Sequence, residues 1–145
     1  MIGLIQRVRS ASVTVAGEVV GAVDQGLLLL LGVEKEDTPE HADKLLQKVL
    51  SYRVFADHDG KMNLSVRDVQ GGLLVVSQFT LAASTDKGLR PSFSSAKPPV
   101  EAEQLYEYFL KMARATHATV QAGKFGADMQ VALVNDGPVT FLLKS

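Results

Sequence analysis

Leu27-Leu28-Leu29-Leu30-Leu31 is flanked by Gly26 on one side and Gly32-Val33 on the other. It is too short for a helix of ordinary length and has no polar face. A run of this kind suits a β-strand buried on both sides. The segments around it must therefore supply cover in two directions.

Residues 4–15 alternate into Ser12-Val13-Thr14-Val15, and Gly17-Glu18 then separates them from Val19-Val20. The pattern predicts a strand, a tight turn and a returning strand. Thr38-Pro39-Glu40 opens a helix: Thr38 caps it, Pro39 takes the first turn and Glu40 suits the positive end of the dipole. Ala42, Leu45, Leu46, Val49 and Leu50 follow at helical spacing, so that face packs on the sheet. A turn is expected at Asp57-His58-Asp59-Gly60 and a strand over Leu73–Ala82. A second helix follows Pro98-Pro99, with Leu105, Tyr106, Phe109, Met112 and Ala113 on one face. Strands near 118–124, 129–134 and 139–143 complete the chain. Asp136-Gly137 is the expected hairpin corner, because Gly accepts positive φ and Pro138 cannot donate to a ladder.

No repeat or linker interrupts the 145 residues. The reading is one α/β domain spanning 1–145, mostly antiparallel, with a barrel-like sheet and two main helices. The chain has no cysteine, which rules out disulfides, thiolate metal sites and a cysteine nucleophile. Neither a signal peptide nor a membrane span is expected, and the expected compartment is the cytoplasm. A net charge of −1 limits any nucleic-acid contact to a small local footprint.

Asp57–Gly60 has Gly at the fourth position rather than the sixth, so it is a turn and not a calcium loop. His41, His58 and His117 show no metal-ligand spacing and are expected to be structural or solvated. No metal or other cofactor is expected. Ser77-Gln78-Phe79-Thr80 ends an otherwise apolar strand in polar groups. Read as a strand, it puts Gln78 and Thr80 on one face, Ser77 and Phe79 on the other. Either this strand simply reaches the surface, or it offers hydroxyls, an amide and backbone N–H groups to a ligand. Phe125 and Met129, in Gly123-Lys124-Phe125-Gly126-Ala127-Asp128-Met129, are core residues or the floor of an apolar pocket. The polar loop 84–99 carries Lys87, Arg90 and Lys97, which are either solvated or placed to meet phosphates.

Ser77-Gln78-Phe79-Thr80-Leu81 together with Asn135-Asp136-Gly137-Pro138-Val139-Thr140 resembles the D-aminoacyl-tRNA deacylase family. Gln6-Arg7-Val8, Pro98-Pro99 and Phe125-Gly126-Ala127-Asp128-Met129 extend the resemblance over essentially the whole chain. It implies a homodimeric hydrolase of the ester joining a D-amino acid to the tRNA 3′ end. It also implies removal of glycine mischarged on a tRNA such as tRNA(Ala). Ser77, Gln78, Phe79 and Thr80 would form one wall of the pocket. Gly137 and Pro138, joined by a cis bond, would reach into the partner subunit's pocket and exclude L-residues, with Phe125, Met129 and Arg7 in support. Backbone N–H groups near Phe79 and Thr80 are candidates for the oxyanion site. No His or Lys lies in either motif to activate Thr80, so water helped by the ribose 2′-hydroxyl is the expected nucleophile. Arg7 is expected to hold the dimer or the Gly-Pro segment. Two other readings stand beside this one: a non-catalytic module binding a tRNA end, and a structural dimer in which Gly137-Pro138 is only a turn.

Overall fold

The computed structural model describes residues 1–145. Its spine is β1 (Ile2–Val15), followed by β2 (Glu18–Val23), β3 (Gly26–Gly32), α1 (Pro39–Ser51), β4 (Phe55–Ala56) and β5 (Met62–Leu64). Then come β6 (Gly72–Ser77), a 3-10 helix (Phe79–Ala82), α2 (Pro99–Thr116), β7 (Val120–Ala122) and β8 (Gln130–Lys144). The main sheet runs β2-β1-β3-β6-β7, and β8 pairs antiparallel with β1. The β3–β6 and β6–β7 pairs are parallel; the rest are antiparallel. β2 returns against β7 so closely that a Cβ on Gly21 would sit 2.7 Å from the Ala122 carbonyl oxygen. The sheet thus nearly closes into a barrel, and only glycine permits that approach.

The leucine run is buried on both faces because its alternate members serve different cores. Leu27, Leu29 and Leu31 pack with α1 and α2, alongside Leu73 and Val75 of the neighbouring strand. Leu28 turns to the barrel interior with Val8, Val13, Leu74 and Val76. The parallel register sets Leu27 beside Leu73 and Leu28 beside Leu74, so each face stays continuous across both strands. α1 contributes Ala42, Leu45, Leu46, Val49 and Leu50, as its spacing predicts. α2 buries Ala102 and Leu110 besides the expected residues, whereas Met112 is only partly buried. At the start of α1, the His41 ring accepts the Thr38 N–H at 3.0 Å. No helix is long and apolar enough to cross a membrane.

Two expectations need correction. The strand predicted over 73–82 stops at Ser77: the Gln78 amide makes the last ladder bond, to Leu31 O at 2.8 Å, and the chain then coils into the 3-10 helix. Side chains 77–80 therefore do not alternate across a sheet. The predicted hairpin corner at Asp136-Gly137 lies instead inside β8, which joins the two strands expected at 129–134 and 139–143. Both halves pair with β1, and that long ladder overrides the local turn chemistry.

The ladder carries a large bulge where Arg7 alone on β1 faces Asp136, Gly137, Pro138 and Val139 on β8. At this point the two long strands pass from one core to the other. Val131 and Leu133 pack with the barrel interior, whereas Val139 and Leu143 join the helix side. Ile5 and Val8 on β1 divide the same way.

Candidate functional site

A cleft of about 440 Å³ opens at the carboxyl ends of the parallel strands β3 and β6, a usual place for ligands in such sheets. Leu31 and Val33 form one side, and Val76, Ser77, Gln78 and Phe79 form the next. Pro99 and Ala102 of α2 close it above, and Phe125, Gly126, Ala127, Met129 and Val131 line the remainder. The lining contains no ionisable side chain.

The 3-10 helix brings Gln78 and Thr80 together. Gln78 Nε2 donates to Thr80 Oγ1 at 2.8 Å. A hydroxyl that accepts from an amide has no base to take its proton, since a carboxamide is not a base at neutral pH. Thr80 itself does not line the cleft, but Ser77, Gln78 and Phe79 do. The first amides of a helix, here those of Phe79 and Thr80, have no intrahelical acceptor.

Phe125 and Met129 belong to the lining and also pack, partly buried, against the two cores. Phe125 leans on Tyr106 with ring centroids 5.7 Å apart. Tyr106 OH donates to Val75 O at 3.2 Å, and burial pushes its phenol well above the usual range, so it remains protonated. The Val75 carbonyl also accepts Gly123 N–H at 2.9 Å, which anchors the start of the segment leading to Phe125.

The second group assembles on the bulge. Arg7 Nε donates to Asp136 O at 2.7 Å and Nη1 to Val54 O at 2.6 Å. Asn135 spans the bulge: its Oδ1 accepts Val139 N–H at 2.8 Å, and its Nδ2 donates to Val139 O and to Thr140 Oγ1 at 3.2 Å each. Gly137 and Pro138, between these fixed points, are exposed. The Gly137–Pro138 bond is cis. A Cβ on Gly137 would meet Val139 N at 2.5 Å, so no other residue fits without moving the backbone. Gly137, Pro138 and Arg7 line no part of this chain's own cleft.

Three residues escaped sequence reasoning as individuals. Asn135 acts as the clamp; its position two residues before Gly-Pro in a turn-rich stretch was the available signal. Phe93 stacks on Phe79 at 4.7 Å and 23°. An aromatic ring in a polar loop could have flagged it. The Val54 carbonyl, which receives Arg7, carries no signal at all. The histidines serve elsewhere: His41 at the α1 start, His117 against Gly71 O at 2.7 Å, and His58 beside Asp59. Asp57 accepts Asn63 Nδ2 and the amides of Lys61 and Asp59, which hold its carboxyl below the usual range within a plain turn. No three His, Cys, Asp or Glu side chains converge as a metal would require.

The family model described as D-Tyr-tRNA(Tyr) deacylase matches residues 4–144. A protein of Stutzerimonas stutzeri (strain A1501) named D-aminoacyl-tRNA deacylase is 68% identical over 145 residues, covering all of both chains. The solved structure titled "c-Myc DNA Unwinding Element Binding Protein" superposes with a TM-score of 0.96 at 45% identity, covering 100% of this chain and 99% of that one. A structure titled as a probable eukaryotic D-amino acid tRNA deacylase shares the fold, with a TM-score of 0.85 at 15% identity and coverage of 99% and 98%.

Proposed function

The chain belongs to the D-aminoacyl-tRNA deacylase family and is a hydrolase of that class, and on this premise we propose how its two residue groups divide the work. The cleft takes the terminal adenosine and the ester of an aminoacyl-tRNA, with Phe79, Phe125 and Met129 as apolar walls. Ser77 and Gln78 orient the substrate. The Phe79 and Thr80 amides receive the carbonyl oxygen as it gains charge. Water, oriented by the ribose 2′-hydroxyl, adds to the ester carbon. The bond to the 3′ oxygen then breaks, the proton passes to that oxygen, and a D-amino acid and free tRNA depart. The observation that carries this reading is a cleft lined with apolar groups and amides but no acid or base. Such a site positions and screens rather than attacks.

Gly137 and Pro138 form a backbone wedge for a partner subunit's cleft. Three features support a second copy as that wedge's target. Gly137 and Pro138 in the bulge are exposed and line no part of their own chain's cleft. β8, 15 residues long, pairs on one edge only. It also exposes Val134, Phe141 and Leu142, an edge that invites pairing. The homodimer would then place two sites at its interface. Within each site the Gly137 and Pro138 carbonyls occupy the space an L side chain needs, while a D side chain points away. Specificity then comes from a clash with the wrong isomer, and the D side chain goes unread. Glycine, having no side chain, is accepted too, so glycine mischarged on tRNA(Ala) is a substrate. A tRNA substrate places this work in the cytoplasm.

The direct test compares D-Tyr-tRNA with L-Tyr-tRNA. Rapid release of D-tyrosine with the L-ester left intact is the expected result. The alternative of a binding-only module draws on the DNA-element title of one structural neighbour. Tight tRNA binding with neither ester cleaved would favour that alternative.

A further inference from the structure

Residues 84–97 leave the body after the 3-10 helix and return before α2, and both stems are fastened. Ser84 and Ser92 exchange backbone hydrogen bonds of 2.8 and 3.0 Å. Ser95 Oγ donates to Ala82 O at 2.6 Å. Lys97 N donates to Val33 O at 3.2 Å and Lys97 Nζ to Lys35 O at 2.9 Å. Between the stems, residues 85–91 make no backbone bond to the body, and Leu89 is fully exposed. Lys87 and Arg90 sit in this span with no ion pair and no hydrogen-bond acceptor.

Directly after the loop, Phe93 lies flat on Phe79 at the cleft mouth. Rings stacked for core packing are buried, yet Phe79 is 50% and Phe93 40% exposed. An exposed aromatic stack beside unpaired cations is how proteins hold single-stranded nucleic acid: bases stack on the rings and phosphates meet the cations. The chain as a whole carries −1, so this loop, with Lys87, Arg90 and Lys97 against Asp86, is a local exception.

Resting on the deacylase reading above, we propose that Phe93 and the Lys87–Arg90 loop form a subsite for the nucleotide just 5′ of the aminoacylated terminal adenosine. The penultimate base stacks on the outer face of Phe93, and Lys87 and Arg90 take the flanking phosphates. The enzyme then grips the single-stranded end of its substrate, beyond the nucleoside that bears the ester.

The experiment measures kcat/KM on two substrates, D-tyrosyl-adenosine and the D-tyrosyl ester of the trinucleotide CpCpA. Wild type should gain about 5- to 150-fold on the longer substrate. Phe93→Ala should erase most of that gain and Phe93→Trp should keep it; if the first does not fold, the salt dependence of the Lys87→Ala/Arg90→Ala variant decides the matter. Lys87→Ala/Arg90→Ala should flatten the salt dependence on the trinucleotide by a slope of about 1.4, two phosphate contacts on a single strand. No wild-type gain, or a Phe93→Ala loss equal on both substrates, overturns the subsite; the latter makes Phe93 a mere prop for Phe79. A wild type inert on both substrates overturns the deacylase reading, and the subsite with it.

Discussion

Replacing Gly137 with alanine should lower the ratio of D- to L-Tyr-tRNA hydrolysis by about 100-fold, a loss of the size that a 1 Å misplacement of positioning groups produces. The added methyl has nowhere to go. It would meet Val139 N at 2.5 Å and Val139 Cγ2 at 2.6 Å, and Val139 is itself buried in the helix-side core. Val139 is further held by Asn135 at both its N–H and its carbonyl. Since the core side cannot yield, the exposed Gly137–Pro138 segment must, and its carbonyls move with it. Their displacement opens room for an L side chain. The expected signature is therefore a rise in L-ester hydrolysis together with a fall in the D rate. Parallel kinetics on the two esters measure it. A variant that folds, slows on the D-ester and still leaves the L-ester untouched would mean that these carbonyls do not select.

Removing the 2′-hydroxyl from the substrate should cost about 100- to 10,000-fold in single-turnover rate, the range that a positioned proton-transfer group contributes. The reason lies in what surrounds the ester. The cleft lining has no acid or base. The hydroxyl that the family motif offers beside the cleft, Thr80 Oγ1, has the Gln78 amide as its partner. An amide cannot remove the threonine proton, which supports the proposal that the ribose helps the water. D-Tyr-tRNA ending in 2′-deoxyadenosine tests this, with Thr80→Ala as the companion. The variant should stay within about tenfold of wild type on the normal substrate, since a lost neutral hydrogen bond is worth about 0.5–1.5 kcal/mol. A full rate on the deoxy substrate together with a dead Thr80→Ala would reverse the assignment and make threonine the nucleophile.

Much of the fold was legible because its signals are local. Leu27–Leu31 announced burial on two sides, and the structure divides those residues between two cores. Thr38-Pro39 marked the start of α1, although the residue reaching back to the cap is His41, outside the Glu/Gln signature. What was not legible depends on partners far away in sequence. Ser77 ends β6 where its partner strand β3 itself ends at Gly32, against which the 3-10 helix packs. The change to polar residues at Ser77 was visible, but not that the chain coils there instead of extending. Residues 133–140 read locally as a hairpin, and only pairing with β1 makes them one bulged strand. The same holds for the site. The residue types at 77–80 and 135–140 were visible, but Arg7 reaching Asp136 O and Val54 O joins segments that no spacing rule connects.

We propose that the wedge of one subunit guards the cleft of the other, and a mixed dimer puts the claim to the test. One chain carries Ala127→Trp, which fills its own cleft but leaves its wedge intact, since Ala127 lies in the lining. The other carries Gly137→Ala, with an open cleft and a displaced wedge. Differently tagged chains are combined, the heterodimer is isolated, and hydrolysis of D- and L-Tyr-tRNA is measured. If the wedge acts across the interface, the one open cleft faces an intact wedge, and the heterodimer should reject the L-ester as wild type does. If the wedge acts within its own chain, that cleft carries the damaged one. Hydrolysis of L-Tyr-tRNA by the heterodimer, at the per-site rate of the Gly137→Ala homodimer, would contradict the claim.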